Sequence, residues 1–358
     1  MKKFRYIDAI RGIAILGVFM VHVMNSKHFP PSIQHLIELE AKGVQLFFIA
    51  SAFTLFLSMS KRNDRELYPT GNFFIRRFFR IAPMYYLAII YYYYQNVLAG
   101  INNPPGIVPA NFLFIHGISP HWINYLVPGG WSITVEMMFY CIVPFIFGWI
   151  SNINRALLFL TLTLCFRFPF LMLMRHFVLP EMTELNHDFF YWCLPNQLPI
   201  FALGILLFFY IRNDYTLRGL SARNISFFLL VLAINCTVKE FIPNHFFISV
   251  GFIAFFAWLS RTSNIIFVNR FTVFLGKISF SLYLVHFAVN FWILRLSDQL
   301  HMTARLPFVP LYVLTVGTVF ALSALVALFF YHAIEVRFQQ IGKSIIQRRE
   351  TVVETPPS

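Results

Sequence analysis

Apolar runs long enough to cross a bilayer recur along the whole chain, and no other feature limits its fold so tightly. A membrane span needs about 20 mostly apolar residues, within a range of about 17–25. Ten runs meet or approach that length: roughly 8–24, 43–60, 81–99, 131–150, 156–174, 196–211, 225–238, 246–260, 277–296 and 307–333, the seventh and eighth being short. In lipid, backbone groups must be bonded internally, so such runs fold as helices or close into a barrel. The runs are continuous rather than alternating, which disfavours a barrel. Hydrophobic residues make up 58% of the 358 and charged residues only 12%, more apolar surface than a soluble domain of this size can hide. The expected fold is therefore all-α: a polytopic membrane helix bundle of about ten transmembrane helices. Residues 1–340 would form one integral membrane domain and 341–358 a disordered cytoplasmic tail, ending in "TVVETPPS".

The basic residues give the orientation. With the N-terminus inside and strict alternation, 20 of the 28 Lys and Arg fall on the inner side and six (Lys27, Lys42, Arg175, Lys239, Arg295, Arg305) on the outer, leaving Arg11 and Arg167 within spans. The positive-inside rule then places both termini in the cytoplasm. The same scatter through short loops explains the net charge of +13 without nucleic acid as a partner. Lys2, Lys3 and Arg5 before an apolar core resemble a signal peptide, but Asp8 and Arg11 interrupt the core, so a retained first span is expected. Cys141, Cys165, Cys193 and Cys236 stand alone and read as small core residues. No metal-ligand spacing and no strong internal repeat is apparent. The outer segment Gly100–Gly130 carries no Asp, Glu, Lys or Arg; it reads as a re-entrant lid, a sugar platform or an ordinary connector.

A few polar residues break the apolar pattern. Arg11 and His22 are eleven residues apart, which returns to the same helix face to within about 20° over a rise of about 16 Å. One groove could be touched at both ends; the plain alternatives are a snorkelling arginine and an interfacial histidine. Glu136, in "GGWSITVEMMFY", begins the fourth span at a depth estimated to match His22. It is expected to pair with that imidazole and fix its tautomer, or to be a structural partner. Trp131 could stack on a sugar ring or sit in an interfacial belt. Arg76, Arg77 and Arg80 stand just before the third span, with Arg76 and Arg80 on one face. Guanidinium forks suit phosphate oxygens, either of a phosphorylated cytosolic donor such as coenzyme A or of lipid headgroups. Tyr283 and His286 are neighbours in the ninth span, and Glu335 closes the last one.

Taken together, these pieces resemble the acyltransferase-three family of bacterial integral membrane O-acyltransferases over roughly residues 4–340. The Arg-x10-His motif matches Arg11 and His22. "GVQLFFIASA" has Ala52 where glycine is usual. "RRFFRIAPMY" supplies Arg76, Arg77, Arg80, Pro83 and Tyr85. "WSITVEMMFY" supplies Trp131, Ser132, Glu136, Phe139 and Tyr140. "ISFSLYLVH" supplies Ser279, Tyr283 and His286, with Phe280 replacing a common tyrosine. The closing motif keeps Glu335, but Arg337 replaces its proline. The resemblance implies acetyl-coenzyme A as donor, no metal, and an acceptor sugar outside the bacterial cytoplasmic (inner) membrane, either a surface glycan or an undecaprenyl-linked precursor. Some family members carry a fused extracytoplasmic hydrolase-like domain, for which this chain is expected to have no room; it would finish the transfer itself or relay the acyl group. On this reading His22 is the general base or a transient acyl carrier, Glu136 orients it, and Arg11 steadies the donor or the oxyanion. Arg76, Arg77 and Arg80 grip coenzyme A with help from Tyr283 and His286, while Trp131 and Ser132 meet the acceptor. A transporter of an acyl or lipid-linked substrate and a non-catalytic glycan-binding partner remain the competing classes.

Overall fold

A computed structural model describes residues 4–23, 42–181, 183–238, 241–262, 264–301 and 308–351. Lys2, Lys3, Lys27, Lys239 and Arg305 of the charge count, and the tail from 352, lie outside the described residues. Among those described, the chain is helical with no strand. The helices are α1 (Arg5–Val23), α2 (Gly43–Arg62), α3 (Pro69–Leu98), α4 (Ile107–Phe112), α5 (Gly130–Trp149), α6 (Ile153–Leu173), α7 (Glu184–Trp192), α8 (Leu194–Arg212), α9 (Ala222–Thr237), α10 (Asn244–Thr262), α11 (Arg270–Gln299), α12 (Phe308–Phe330) and α13 (Arg337–Thr351). Among the described residues, eight helical segments are long and apolar enough to cross a membrane, so the protein is built as a multi-pass membrane protein. The arginine-bearing α3 and the 16-residue α9 are not among the eight, although both overlap runs in the sequence.

Local signals set the helix starts. Asn152, Thr183 and Ser221 each accept a bond from the backbone N–H three residues on, and Asn269 forms a reciprocal capping box with Thr272. Pro69 occupies the first turn of α3, where its missing N–H costs nothing. Two boundaries differ from the sequence expectation. The third span was expected from residue 81, but α3 begins at 69, so Arg76, Arg77 and Arg80 lie within the helix rather than ahead of it. The tail expected to be disordered from 341 is helical to Thr351. There Glu350 accepts bonds from the N–H groups of Leu67 (2.9 Å) and Tyr68 (3.4 Å) and from Asn72 (2.6 Å), and Gly342 packs on Phe79. Packing on the start of α3 holds a segment whose own composition is too polar to suggest order.

α1 packs most extensively on α11, and the two run parallel: Asp8 and Gly12 meet Thr272 and Gly276, while His22 meets His286 and Asn290. The approach is set by small residues, as in membrane bundles generally. A Cβ on Gly276 would fall 1.7 Å from the Asp8 carbonyl oxygen, and one on Gly12 would fall 2.0 Å from that of Thr272. Neither backbone can yield without separating the helices. Gly276→Ala is therefore expected to cost at least about 3 kcal/mol, the upper end for overpacking, read as a lower unfolding midpoint in detergent. An unchanged midpoint would contradict the packing.

The uncharged segment before α5 folds inward. Ile107, Asn111, Phe114, His116, Ile123, Leu126 and Val127 are all buried. Tyr85 donates to Asn111 (2.7 Å), and His116 Nε2 lies 3.1 Å from both Tyr85 Oη and the Gly130 carbonyl. Burial pushes His116 down to about 4, so it is a neutral pin at physiological pH. The segment also sets where α5 starts: Gly129, at φ +76°, lies against Tyr283 and Phe287 of α11 rather than at an outer surface.

Candidate functional site

Side chains from α1, α2, α3, α5 and α11 line one pocket, among them Arg11, Ser51, Arg77, Arg80, Ser132, Glu136, Tyr140, Ser279 and Tyr283. Among the described residues of that lining, three guanidinium groups face one carboxylate. Glu136 accepts hydrogen bonds from Ser51 and Tyr140, both 2.5 Å. The Arg77 guanidinium stacks over the rings of Tyr140 and Phe73, 5.6 and 5.7 Å from their centroids. Arg11 donates to Thr54 (3.1 Å) and stands 4.0 Å from Asp8. The Arg77 Nε is buried and has no hydrogen-bond partner among the described residues. Buried donors without partners are uncommon and costly. An excess of guanidinium over carboxylate, with one donor free, fits an anionic or strongly polar ligand. The cavity is about 70 Å³. That is room for a few waters at about 10–15 Å³ each, or for a thread-like chain, and not for a nucleotide.

The arginine cluster divides. Arg77 and Arg80 point into the pocket, whereas Arg76 makes a bidentate pair with Glu66 at 2.8 and 3.0 Å. The face shared by Arg76 and Arg80 is thus not the one that acts together; the three-residue step from Arg77 to Arg80 is.

The expected pairing of Glu136 with His22 is not what the hydrogen bonds show. Glu136 bonds Ser51 and Tyr140, at the level of Arg11, while His22 Nδ1 bonds the Val18 carbonyl at 2.8 Å. The reason is the folded-in segment before α5. It starts α5 against Tyr283 and Phe287, so Glu136, about two turns on, sits beside the arginines rather than the His22 imidazole. Glu136→Gln keeps an acceptor for Ser51 and Tyr140 but removes the pocket's carboxylate. It is expected to leave affinity for an anionic ligand unchanged or higher, since the pocket becomes more cationic. Weaker anion binding in a titration would contradict that role.

Above the pocket, Tyr283 forms a wall. Its hydroxyl donates to the Gly129 carbonyl (2.8 Å) and lies 2.9 Å from Ser132 Oγ. Beyond it stand two imidazoles. The rings of His22 and His286 are 5.4 Å apart between centroids, and both lie against Phe287, at 4.4 and 4.1 Å. His22 is exposed and His286 fully buried. The remaining expected residues have other neighbours. Trp131 is 8% exposed and stacks on Trp192 at 5.9 Å, so that face is covered, and Ser132 is held by Tyr283.

Sequence reasoning missed Ser51, Thr54, Asn290 and Phe287. Ser51 and Thr54 were visible as polar residues inside an apolar helix. Nothing local marked Phe287 or Asn290, whose role comes from the parallel approach of α1. Also unforeseen was the bond from Ser281 to Glu335, which a π-helical turn at Tyr331–Val336 carries into the bundle.

Fold and site together define a multi-pass helical membrane protein built around a buried, anion-attracting pocket. A family model described as an acyltransferase domain, Acyl_transf_3, matches residues 4–328, and the chain belongs to that family. Relatives in Staphylococcus aureus strains COL and MSSA476, each named "Putative O-acetyltransferase", are 23% identical over 330 residues, covering 80% of this chain and 51% of theirs. The chain thus spans about half the length of these curated relatives. No solved structure matches.

Proposed function

We propose that the protein is an O-acyltransferase that moves an acetyl group from cytoplasmic acetyl-coenzyme A to a hydroxyl of a surface or lipid-linked glycan across a bacterial cytoplasmic membrane. The observation that carries this reading is the set of three guanidinium groups, Arg11, Arg77 and Arg80, on one narrow pocket with Glu136 as its carboxylate. The pocket admits a thread and not a nucleotide. The coenzyme's nucleotide therefore stays at the cytoplasmic mouth, near Arg62, Arg65 and Arg76, while its pantetheine arm enters. Arg77 and Arg80 attract the phosphates, and Arg11 steadies the donor within the pocket. His22, exposed on the far side of Tyr283, takes the proton from the arriving hydroxyl as general base. Its Nδ1 bond to the Val18 carbonyl fixes the tautomer and leaves Nε2 free to accept. For the acyl group to reach the imidazoles, the Tyr283–Gly129 bond must open. The names of the curated relatives favour acetyl as the transferred group.

The test is purified protein in proteoliposomes with radiolabelled acetyl-coenzyme A and candidate glycans. Label in the glycan supports transfer; label crossing the membrane only as intact donor supports transport and overturns the proposal. Cysteine-accessibility labelling at positions 61 and 124 checks the direction, since labelling from one side only would contradict a cytoplasmic donor mouth.

A further inference from the structure

Resting on the transfer reading above, the geometry points to His286 as a proton relay between His22 and the donor's leaving sulfur. The motif resemblance grouped His286 with the donor's grip; its surroundings suit a different task. Ser279, Tyr283, His286 and Asn290 are spaced by four, three and four residues and so form one stripe along α11. The first two line the arginine pocket, and the last bonds the His22 carbonyl at 3.4 Å. His286 stands between, about 4.5 Å of helix rise beyond Tyr283, with its ring 6.0 Å from that tyrosine's and 5.4 Å from that of His22. It is the buried member of the pair, and its Nε2 has no hydrogen-bond partner among the described residues.

The two imidazoles are tied alike. His22 Nδ1 bonds the carbonyl of Val18 and His286 Nδ1 that of Leu282, each four residues back on its own helix. A carbonyl accepts, so each Nδ1 carries the hydrogen and each Nε2 offers a lone pair. A buried lone pair without a donor is uncommon, and here it is the atom of His286 that can accept a proton in transit. Transfer needs such a path. The acceptor hydroxyl loses its proton to His22 Nε2, and its oxygen forms the new ester bond to the acyl carbon. The carbon–sulfur bond breaks, and the electron pair leaves on sulfur inside the pocket. The proton on His22 passes to His286 Nε2 and from there to the sulfur, giving the free thiol and two neutral imidazoles. Nothing is oxidised, and no co-reactant is required. Without the relay, the proton would rest on His22 while the negative charge rests on the departing sulfur, a separation that costs free energy. As a positioning and relay group, His286 acts through His22 and on the leaving group.

The experiment compares two donors. Acetyl-coenzyme A releases a thiolate that needs a proton, whereas 4-nitrothiophenyl acetate releases one that is stable without it. His286→Asn keeps a donor for the Leu282 carbonyl but removes Nε2. It is expected to lower kcat/KM about 100-fold with acetyl-coenzyme A and less than about threefold with the aryl thioester, while His22→Ala loses activity with both. Equal losses with the two donors, in a His286→Asn protein whose unfolding midpoint matches wild type, overturn the relay, as does full activity with acetyl-coenzyme A. If that variant unfolds early, His286→Gln, which also lacks a titrating Nε2, is read by the same ratio. Wild-type protein inert with acetyl-coenzyme A but active with the aryl thioester refutes the donor reading and the relay together.

Discussion

His22→Ala is expected to lower acyl transfer by about 1000-fold while leaving the folded protein and its donor affinity intact. The magnitude follows from general-base catalysis, worth about 10²–10⁴. Retention of the fold follows from position: His22 is exposed at the end of α1, one residue before its last, with Phe287 and His286 as ring neighbours. The packing of α1 on α11 is carried lower down, by Gly12 and Gly276, and is untouched. Donor affinity should hold because Arg77 and Arg80 lie on the other side of Tyr283. Isothermal titration with coenzyme A and initial-rate kinetics on the same preparation make the check. A variant that keeps more than about a tenth of wild-type kcat would remove the imidazole from the chemistry.

Arg77→Ala should act in the opposite way, raising the donor KM by at least about 30-fold with a smaller change in kcat. Losing a charge-assisted contact to a buried anionic group costs about 2–5 kcal/mol, of which the donor's own hydration recovers part. The guanidinium rests on Tyr140 and Phe73, and Tyr140 in turn is fixed by Glu136, so the charge is held in place before any ligand arrives. Arg77→Lys keeps the charge but loses the planar fork, and is expected to recover less than half of the lost binding energy. Arg76→Ala is the contrast: its guanidinium is engaged with Glu66 at 2.8 Å, so it should raise KM only a few fold. Equal effects of the two alanine variants would mean that the cluster works as a general cationic surface rather than through the pocket.

The two sites these variants probe differ in how far the sequence disclosed them. Spacing alone put Arg11 and His22 on one helix face; in the structure Arg11 lines the pocket and bonds Thr54 of α2, while His22 stands against His286 of α11. Spacing alone also paired Arg76 with Arg80, and that grouping dissolves, because Glu66 draws Arg76 away at the mouth. For Glu136 the depth estimate assumed that α5 starts at the outer surface. Gly129 starts it against Tyr283 instead, so the carboxylate belongs with the arginines. Tyr283 and His286 were read as donor contacts from their motif, yet the structure makes one a wall and sets the other beside His22.

The sequence by itself determined that this chain is a helical membrane bundle, because runs of about 20 apolar residues have few other ways to satisfy their backbones in lipid. It determined which polar residues had to be buried against protein, because hydrocarbon does not tolerate them. Tertiary structure alone decided which of those residues meet. Partnership across helices depends on axial offset, and here that offset was set by two glycine contacts and an uncharged segment that folds inward. Neither leaves a periodic signal, because a shift of one helix along another changes every pairing while leaving each helix's own pattern the same.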